Sequence, residues 1–560
     1  MGHSCLIKTT LANLQLNGGN CSNRSISNFA INSVDMSLEA LQSITKKDYR
    51  FHNWAGIYSC QPQLYFQPTT VDEVVEVVNS ARALGKTIVT VGSGHSPSNM
   101  CMTSEWLMNL DKLNGVLGFE EHTDLHYADV TVEAGIRVFQ INDYVATKNY
   151  AVQNLGSISE QSIAGIISTG THGSSPYHGL VCSNIVNLTI VNGKGEVVFL
   201  DSTTNTDIFR AALLSLGKIG IIVKATVRVV PAFKIKATEE VISFEQLLEM
   251  WDTLWTSSEF IRVWWYPYSR KCVLWRGDKT EEAVTPARKS WWGTTLGRVF
   301  YETLLWLSCR VYTPLTPLVE RFVFKRQYGK LGGLGHGNST VAQSVQAFNM
   351  DCLFSQFVNE WGCPLENGPE ILRSLDHSIA QAMQTKEFYV HVPMEIRCSN
   401  TTIPTEPQDT SKRTVTSRGT VYGNTVRPYL DNTPRGCQYT PLESVTNSQL
   451  TLYINATIYR PFGYNTRIHE WYAIFEDTMS VAGGKPHWAK NFLGKTTTSG
   501  EQTTRAESEY GDFEGRGLGR KIREWYGDDL AKFRSVRKDQ DPDNVFLMNR
   551  EWAVRNGIAE

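Results

Sequence analysis

VGSGHSPSNM, residues 91–100, sets a histidine between glycine turns and a serine–proline step, directly after the apolar run Thr87–Val91. Gly92 and Gly94 let the backbone turn tightly and come close to a ligand. Upstream, VDEVVEVVNSARAL (71–84) carries apolar residues at helical spacing and stops at Gly85, after which residues 86–91 read as a short strand. A helix–strand unit therefore delivers the glycine loop. The loop departs from the dinucleotide fingerprint G-x-G-x-x-G, because Pro97 stands where the third glycine would fall. Two readings of His95 follow: a ring packed in an ordinary turn, or a ring touching a cofactor that the glycines admit.

A second tract bears on the choice. DVTVEA (129–134) reads as a strand closed by Gly135, residues 137–148 as a helix, and then comes QNLGSISEQSIAGIISTGTHGSS (153–175). Its hydroxyls and bare amides around Ser157, Ser162, Gly165, Thr169, Gly170, Gly173 and Ser174 suit a pyrophosphate. Two such loops in one domain suggest a dinucleotide clamped between them; the plainer alternative is a pair of turn-rich connections. Strand-like runs at 184–191, 196–200 and 216–230 complete an α+β domain over 51–235.

From 236 the texture changes. Trp, Tyr and Phe become frequent, polar inserts occur at 333–346 and 399–437, and strand-like runs recur at 388–396 and 450–459. Residues 236–475 read as a second α+β domain, and 476–560 as a polar helical segment carrying GKPHWAK (484–490). Residues 1–40 are Asn- and Ser-rich, with no acidic residue before Asp35, and read as a disordered or targeting extension.

Composition narrows the class. At 560 residues, 41% hydrophobic and 20% charged, the chain reads as a multidomain globular enzyme. A net charge of −2 offers no field for nucleic acid. Eleven scattered cysteines, without CxxC pairs or metal-ligand spacing, read as free thiols, and no metal site is expected. No run of about 18 uncharged apolar residues occurs, so no membrane span is expected. The aromatic stretch 291–324 is broken by Arg298, Glu302, Arg310, Glu320 and Arg321. It reads either as a buried amphipathic helix pair or as a surface that rests on a membrane.

VGSGHSPSNM, the 153–173 tract, HVPMEIRCSN (391–400), YRPFG (459–463) and HWAK (487–490) together resemble the aldonolactone oxidases of the vanillyl-alcohol-oxidase flavoprotein family, over nearly the whole chain from about residue 40. The resemblance implies a two-lobed PCMH-type FAD-binding domain, a substrate (cap) domain with an antiparallel sheet, and a C-terminal segment that returns to the flavin. It implies that His95 is joined covalently to the 8α-methyl of FAD. Gly92, Ser93, Gly94, Ser96, Gly156, Ile221 and the residues named in the second tract are then expected around the cofactor.

For catalysis the resemblance implies Glu395, Arg397 and Lys490. On spacing alone Glu395 and Arg397 share one strand face and read as an ordinary ion pair; the match to the Glu-x-Arg of alditol oxidases makes them substrate residues. Lys490 is expected near the flavin, His487 and Trp488 as its packing supports, and His172 and His391 as structural. The related plant galactonolactone dehydrogenase has alanine at the position of Gly156, a methyl thought to keep oxygen from the flavin, so glycine points to an oxidase. The implied reaction oxidises the C2 hydroxyl of a sugar lactone, D-arabinono-1,4-lactone first, with O2 as acceptor and hydrogen peroxide as product. A galactono- or gulonolactone substrate, cytochrome c as acceptor, or a flavin-less lactone binder are the alternatives. The expected location is peripheral on the mitochondrial membrane, its outer one, with the cytoplasm second.

Overall fold

The computed structural model describes residues 41–286, 290–350, 352–433, 444–492, 518–547, 553, 557 and 558. The extension expected over 1–40 lies outside them. The first lobe is a four-stranded sheet of β1 (Thr45–Lys46), β2 (Leu64–Phe66), β3 (Ile88–Val91) and β4 (Trp106–Asn109), in the order β1-β2-β4-β3. Helix α1 (Val71–Leu84) has the bounds its periodicity predicts. Thr70 and Glu73 form a capping box at its start, a device that contributes about 1 kcal/mol, and Gly85 closes it at φ +61°. Val74, Val77, Val78 and Ala81 bury its inner stripe. Because β3 and β4 pair in parallel, residues 92–98 leave the carboxyl end of β3, the usual ligand side of such sheets.

The second lobe is a six-stranded sheet of β5 (Val116–His122), β6 (Tyr127–Glu133), β7 (Tyr150–Ala151), β8 (Ile185–Val191), β9 (Val197–Asp201) and β10 (Ile221–Pro231). Its order is β9-β8-β10-β6-β5, with β7 paired to β10. The strand expected from 216 begins only at Ile221, since Leu216 (φ +52°) and Gly217 (φ +68°) turn the chain first. Within the Gly/Ser tract, a short helix α2 (Ile163–Ser168) buries Ile163, Ile166 and Ile167.

The third sheet has eight strands. It comprises β11 (Lys234–Ser243), β12 (Phe260–Tyr266), β13 (Lys271–Thr280), β14 (Asn338–Gln343), β15 (Gln356–Pro364), β16 (Met394–Asn400), β17 (Leu450–Tyr459) and β18 (Lys485–Pro486). Their order is β14-β11-β13-β12-β16-β17-β15-β18. Two expectations need correction. Residues 388–393 are not strand: β16 starts at Met394, after Pro393, which has no N–H to give a ladder. The polar insert 333–346 is not all loop either, since Asn338–Gln343 adds to the edge of β11.

Residues 291–328 fold as two helices, α3 (Thr295–Trp306) and α4 (Thr316–Tyr328). Trp292, Tyr301, Leu305, Val319 and Val323 form their inner cluster with Phe354 and Tyr459. Buried Glu320 pins α4 by accepting the backbone N–H groups of Ser269, at 2.7 Å, and Tyr268, at 3.3 Å. The outer face leaves Trp291, Leu296, Val299, Phe300, Leu318 and Phe322 exposed. No helix of the described residues is long and apolar enough to cross a membrane.

Candidate active site

Between the two glycine-bearing loops and the central strands of the third sheet lies a cavity of about 560 Å³. The first loop is tied down by its carbonyls: Asn109 Nδ2 donates to Gly92 O at 3.0 Å, Trp54 N to Gly94 O at 2.8 Å and Asn53 Nδ2 to Ser96 O at 3.1 Å. A Cβ on Gly92 would stand 2.0 Å from Ser162 Oγ, so glycine is what lets the second loop close over the first. Gly94 takes φ +66°, where other residues are strained. This turn aims His95 at the cavity, its ring stacked near Trp54 at 5.6 Å between centroids.

His95 Nδ1 is buried and has no hydrogen-bond partner among the described residues. Burial, opposed by Glu160 and assisted by Arg137, pulls the imidazole down to about 4, so it is neutral at physiological pH. The tail closes the site: Ser96 Oγ donates to Ala489 O at 2.7 Å and Asn491 Nδ2 to Pro97 O at 2.9 Å.

Gly92, Ser93, Gly94, His95, Ser96, Gly156, Ser157, Ser162, Gly165, Thr169 and Ile221 all line this cavity. Ser157 Oγ is a second buried polar atom without a partner. Three residues of the tract lie behind the wall instead. Gly170 turns at φ +75° against Leu214, and a Cβ on Gly173 would stand 2.0 Å from Asn154 Oδ1. Ser174 Oγ accepts from Arg262 Nε at 3.1 Å, holding that guanidinium under the substrate end. They pack and support the wall, with Leu214, Asn154 and Arg262 as their neighbours. Hydroxyls and bare amides around open space, with an unsatisfied neutral imidazole at one point, fit an FAD.

The opposite wall is a cross-strand row. Trp264, Glu395, Asn455 and Glu360 are register partners along β12, β16, β17 and β15, and all four line the cavity. Direct partners share a face, so the sheet presents two carboxylates on one face, with Asn455 between them. Arg397, two residues along β16, joins them. Its Nη2 donates to Glu360 Oε1 at 2.7 Å, and its Nε lies 3.3 Å from Glu395 Oε2. Lys490 Nζ is 3.4 Å from Glu360 Oε2. The HWAK turn is fixed by His487 N donating to Glu360 O at 2.9 Å, and by the bond from Asn491 N to Val358 O at 2.7 Å. Trp488 is fully buried, as its supporting part requires.

Glu360 is the residue the sequence reading missed. Burial works to raise its carboxyl, but Lys490, Arg397 and His172 overcome this and hold it well below the usual range. A signal was present: after Gln356, the strand pattern QFVNEWGCP (356–364) is broken by polar residues only at Asn359 and Glu360. His172, His487 and Glu360 bring ligand-type atoms within 4.8 Å of one another. The carboxylate, however, already faces two protein cations, which take the place a metal would need. His391 sits apart from the cavity, its Nδ1 accepting from Tyr459 N at 2.9 Å and its Nε2 3.2 Å from Cys309 Sγ.

Known proteins are similar to this chain. A family model described as D-arabinono-1,4-lactone oxidase matches residues 225–556, and one described as FAD binding domain matches 62–201. The D-arabinono-1,4-lactone oxidase of Saccharomyces cerevisiae is 68% identical over 515 residues, 92% of this chain and 98% of that protein. Its counterpart in Kluyveromyces lactis is 65% identical over 525 residues, 94% and 100% of the two chains. Among solved structures, a solvent-stable cholesterol oxidase superposes with a TM-score of 0.67 at 16% identity, covering 92% of this chain and 98% of its own. That likeness concerns fold alone, the α+β, PCMH-type two-domain architecture. The chain is an FAD-dependent oxidoreductase and belongs to the D-arabinono-1,4-lactone oxidase family.

Proposed function

We propose that this chain oxidises the C2 hydroxyl of D-arabinono-1,4-lactone and passes the electrons to O2, giving hydrogen peroxide and an ascorbate-like ene-diol, with FAD joined covalently through His95. One observation carries the reading. An unsatisfied neutral imidazole and a Glu–Arg–Lys constellation share one cavity, so a cofactor and a sugar lactone would meet there. Bound FAD supplies hydride acceptance and electron delivery to oxygen.

The chain's own groups supply the rest. Arg397 places fixed positive charge where the substrate oxygen gains electron density, and Lys490, as an ammonium, would add to it. Glu395 Oε1 is buried without a partner and accepts a hydrogen bond from a sugar hydroxyl. The departing hydroxyl proton has two candidate acceptors on the cavity wall, Glu395 Oε1 and Lys490 Nζ. Closure by the tail keeps bulk water from competing.

Peroxide measured under air with a panel of aldonolactones tests this reading. A pentonolactone should be the best substrate, and reduced cytochrome c without peroxide would favour the dehydrogenase alternative. Gly156 sharpens the assay. A Cβ there would meet Thr171 Cγ2 at 3.3 Å and His172 O at 3.7 Å, so a methyl fits with a shift of a few tenths of an ångström. Gly156→Ala should therefore fold, lose roughly tenfold or more in peroxide formation, and keep turnover with an artificial dye within about twofold.

Peripheral membrane binding is the second part of the proposal. From 290 to 330 the exposed charges are Arg298, Arg310, Arg321, Lys325, Arg326 and Lys330, while Glu302 is half-buried and Glu320 buried. The same helices carry an aromatic cluster in which Trp291 and Phe322 each pack edge-on to Phe300, at 5.9 and 6.2 Å, with Arg326 over the Trp291 ring at 5.2 Å. An apolar face on helices whose exposed charges are all cations suits an anionic lipid surface. The mitochondrial address itself rests on the resemblance. Sedimentation with vesicles containing about one-third phosphatidylserine should carry the protein down, and the double change Phe300→Glu, Phe322→Glu should leave it in the supernatant.

A further inference from the structure

Glu360 joins the two cations of the substrate end, yet the reaction just described gives it no part. It lies at the centre of β15, 1% exposed. Oε1 is taken by Arg397 Nη2 at 2.7 Å, and Oε2 makes no hydrogen bond and faces Lys490 Nζ at 3.4 Å. From the glycine tract, His172 Nε2 stands 3.2 Å from Oε1. The other ring nitrogen, Nδ1, is 2.9 Å from Gly173 O. Both ring nitrogens face oxygens that only accept, and burial lowers the imidazole, so the neutral ring gives its one hydrogen to one of them and brings no charge to Glu360. The remaining neighbour is His487, from the same turn as Lys490, which burial keeps neutral.

A buried carboxylate is tolerable only while opposite charge faces it. Arg397 supplies one such charge, but it also lies beside Glu395, a second carboxylate in the same row. Arg262 is a further buried cation near Glu395 and Arg397, whereas the cation that faces Glu360 Oε2 is Lys490 Nζ, at 3.4 Å. We propose that Glu360 is a positioning residue that holds Lys490 as a fixed cation at the substrate end, leaving Glu395 Oε1 to take the C2 hydroxyl proton. This deepens the proposed function and rests on it. In the step, the hydroxyl O–H bond breaks, an O–H bond forms at Glu395 Oε1, and the C2–H electron pair leaves as hydride to the bound flavin. Lys490 gains and loses no proton; it stabilises the oxygen from which the proton departs.

Glu360 faces Lys490 from the sheet and His487 from its own turn, while Arg397 and His172 meet the same Glu360 carboxylate from β16 and the glycine tract. Glu360→Gln keeps the side chain's shape and its bond from Arg397 while removing the counter-charge. An ammonium left among cations sheds its proton more readily. The expected result is a kcat profile whose alkaline limb moves down by about one pH unit or more, with kcat reduced about tenfold or more and KM within about threefold. Glu360→Asp should restore the limb in part. Lys490→Met should abolish that limb altogether, and Glu395→Gln should cost more in kcat than Lys490→Met. An unshifted limb in Glu360→Gln, or an unchanged limb in Lys490→Met, would overturn the assignment. Each variant is judged by anaerobic bleaching of its bound flavin with the lactone. Failure of the wild-type protein to bleach would instead refute the function proposed above.

Discussion

His95→Ala is expected to release its flavin into the supernatant on acid precipitation, whereas the unaltered protein should precipitate yellow. The expectation follows from what holds the loop and what does not. The carbonyls of Gly92, Gly94 and Ser96 are held by Asn109, Trp54 and Asn53, and Pro97 by Asn491. None of those bonds involves the imidazole, so the cavity should survive its removal. The ring does contribute a nucleophile. Burial keeps it unprotonated, with a low affinity of about 4, and Nδ1 is left without a partner. A neutral imidazole nitrogen has the lone pair that bond formation to the flavin methyl needs; an imidazolium has none. Alanine deletes that atom and leaves the cradle to bind FAD reversibly. Activity should fall by about tenfold or more, because a flavin without the covalent link is a weaker oxidant, and dilution should now strip it. A flavin-fluorescent band of His95→Ala on a denaturing gel would place the attachment elsewhere.

The first glycine loop and α1 were legible because local chemistry alone decides them. Thr70, Glu73 and Gly85 mark the helix ends in sequence, and Gly92 and Gly94 mark a backbone that must bend. Ser157, Ser162 and Gly165 were legible as a kind of surface, rich in hydroxyls and bare amides. Which members of the tract reach the cavity was not: past the turn at Gly170, Thr171 and His172 line it while Gly173 and Ser174 do not. Gly170 packs against Leu214, well outside the tract, Gly173 against Asn154 and Ser174 against Arg262 on β12. Glu360 was hidden for a stronger reason. It becomes functional only through register, because β15 pairs with β17 and β17 with β16, which sets it in line with Glu395. Nearly 100 residues separate those strands' members in sequence order from β15 to β17, and no local pattern encodes the pairing. The aromatic stretch 291–324 was read as buried or exposed, and the helices α3 and α4 make it both, one face each.

Arg397→Lys should lower kcat/KM by about a hundredfold to a thousandfold while leaving the flavin in place. Charge is conserved in this change, so the size of the loss measures geometry. The guanidinium reaches two carboxylates on different strands at once, Glu360 Oε1 at 2.7 Å through Nη2 and Glu395 Oε2 at 3.3 Å through Nε. An ammonium is a single point and serves one of them. If it turns to Glu360, Glu395 loses the cation that aligns it for the hydroxyl; if it turns to Glu395, the fully buried Glu360 keeps only Lys490. Either arrangement displaces an oxygen acceptor or a cation by more than the half-ångström that such sites tolerate. Arg262 does not repair the defect. It is the register partner of Arg397 but donates to Ser174, behind the cavity wall. Cofactor contacts lie on the opposite wall, with His95 and Ser157, so visible absorbance should be unchanged. The loss should appear in kcat as well as KM, since the guanidinium steadies charge that develops during the reaction. A companion variant separates charge from shape: Arg397→Ala should be inactive alone and regain part of its turnover when guanidinium ion is added in the millimolar range. A Lys variant within threefold of the parent, or an Ala variant indifferent to added guanidinium, would remove Arg397 from the chemistry and leave it as a strand-to-strand tie.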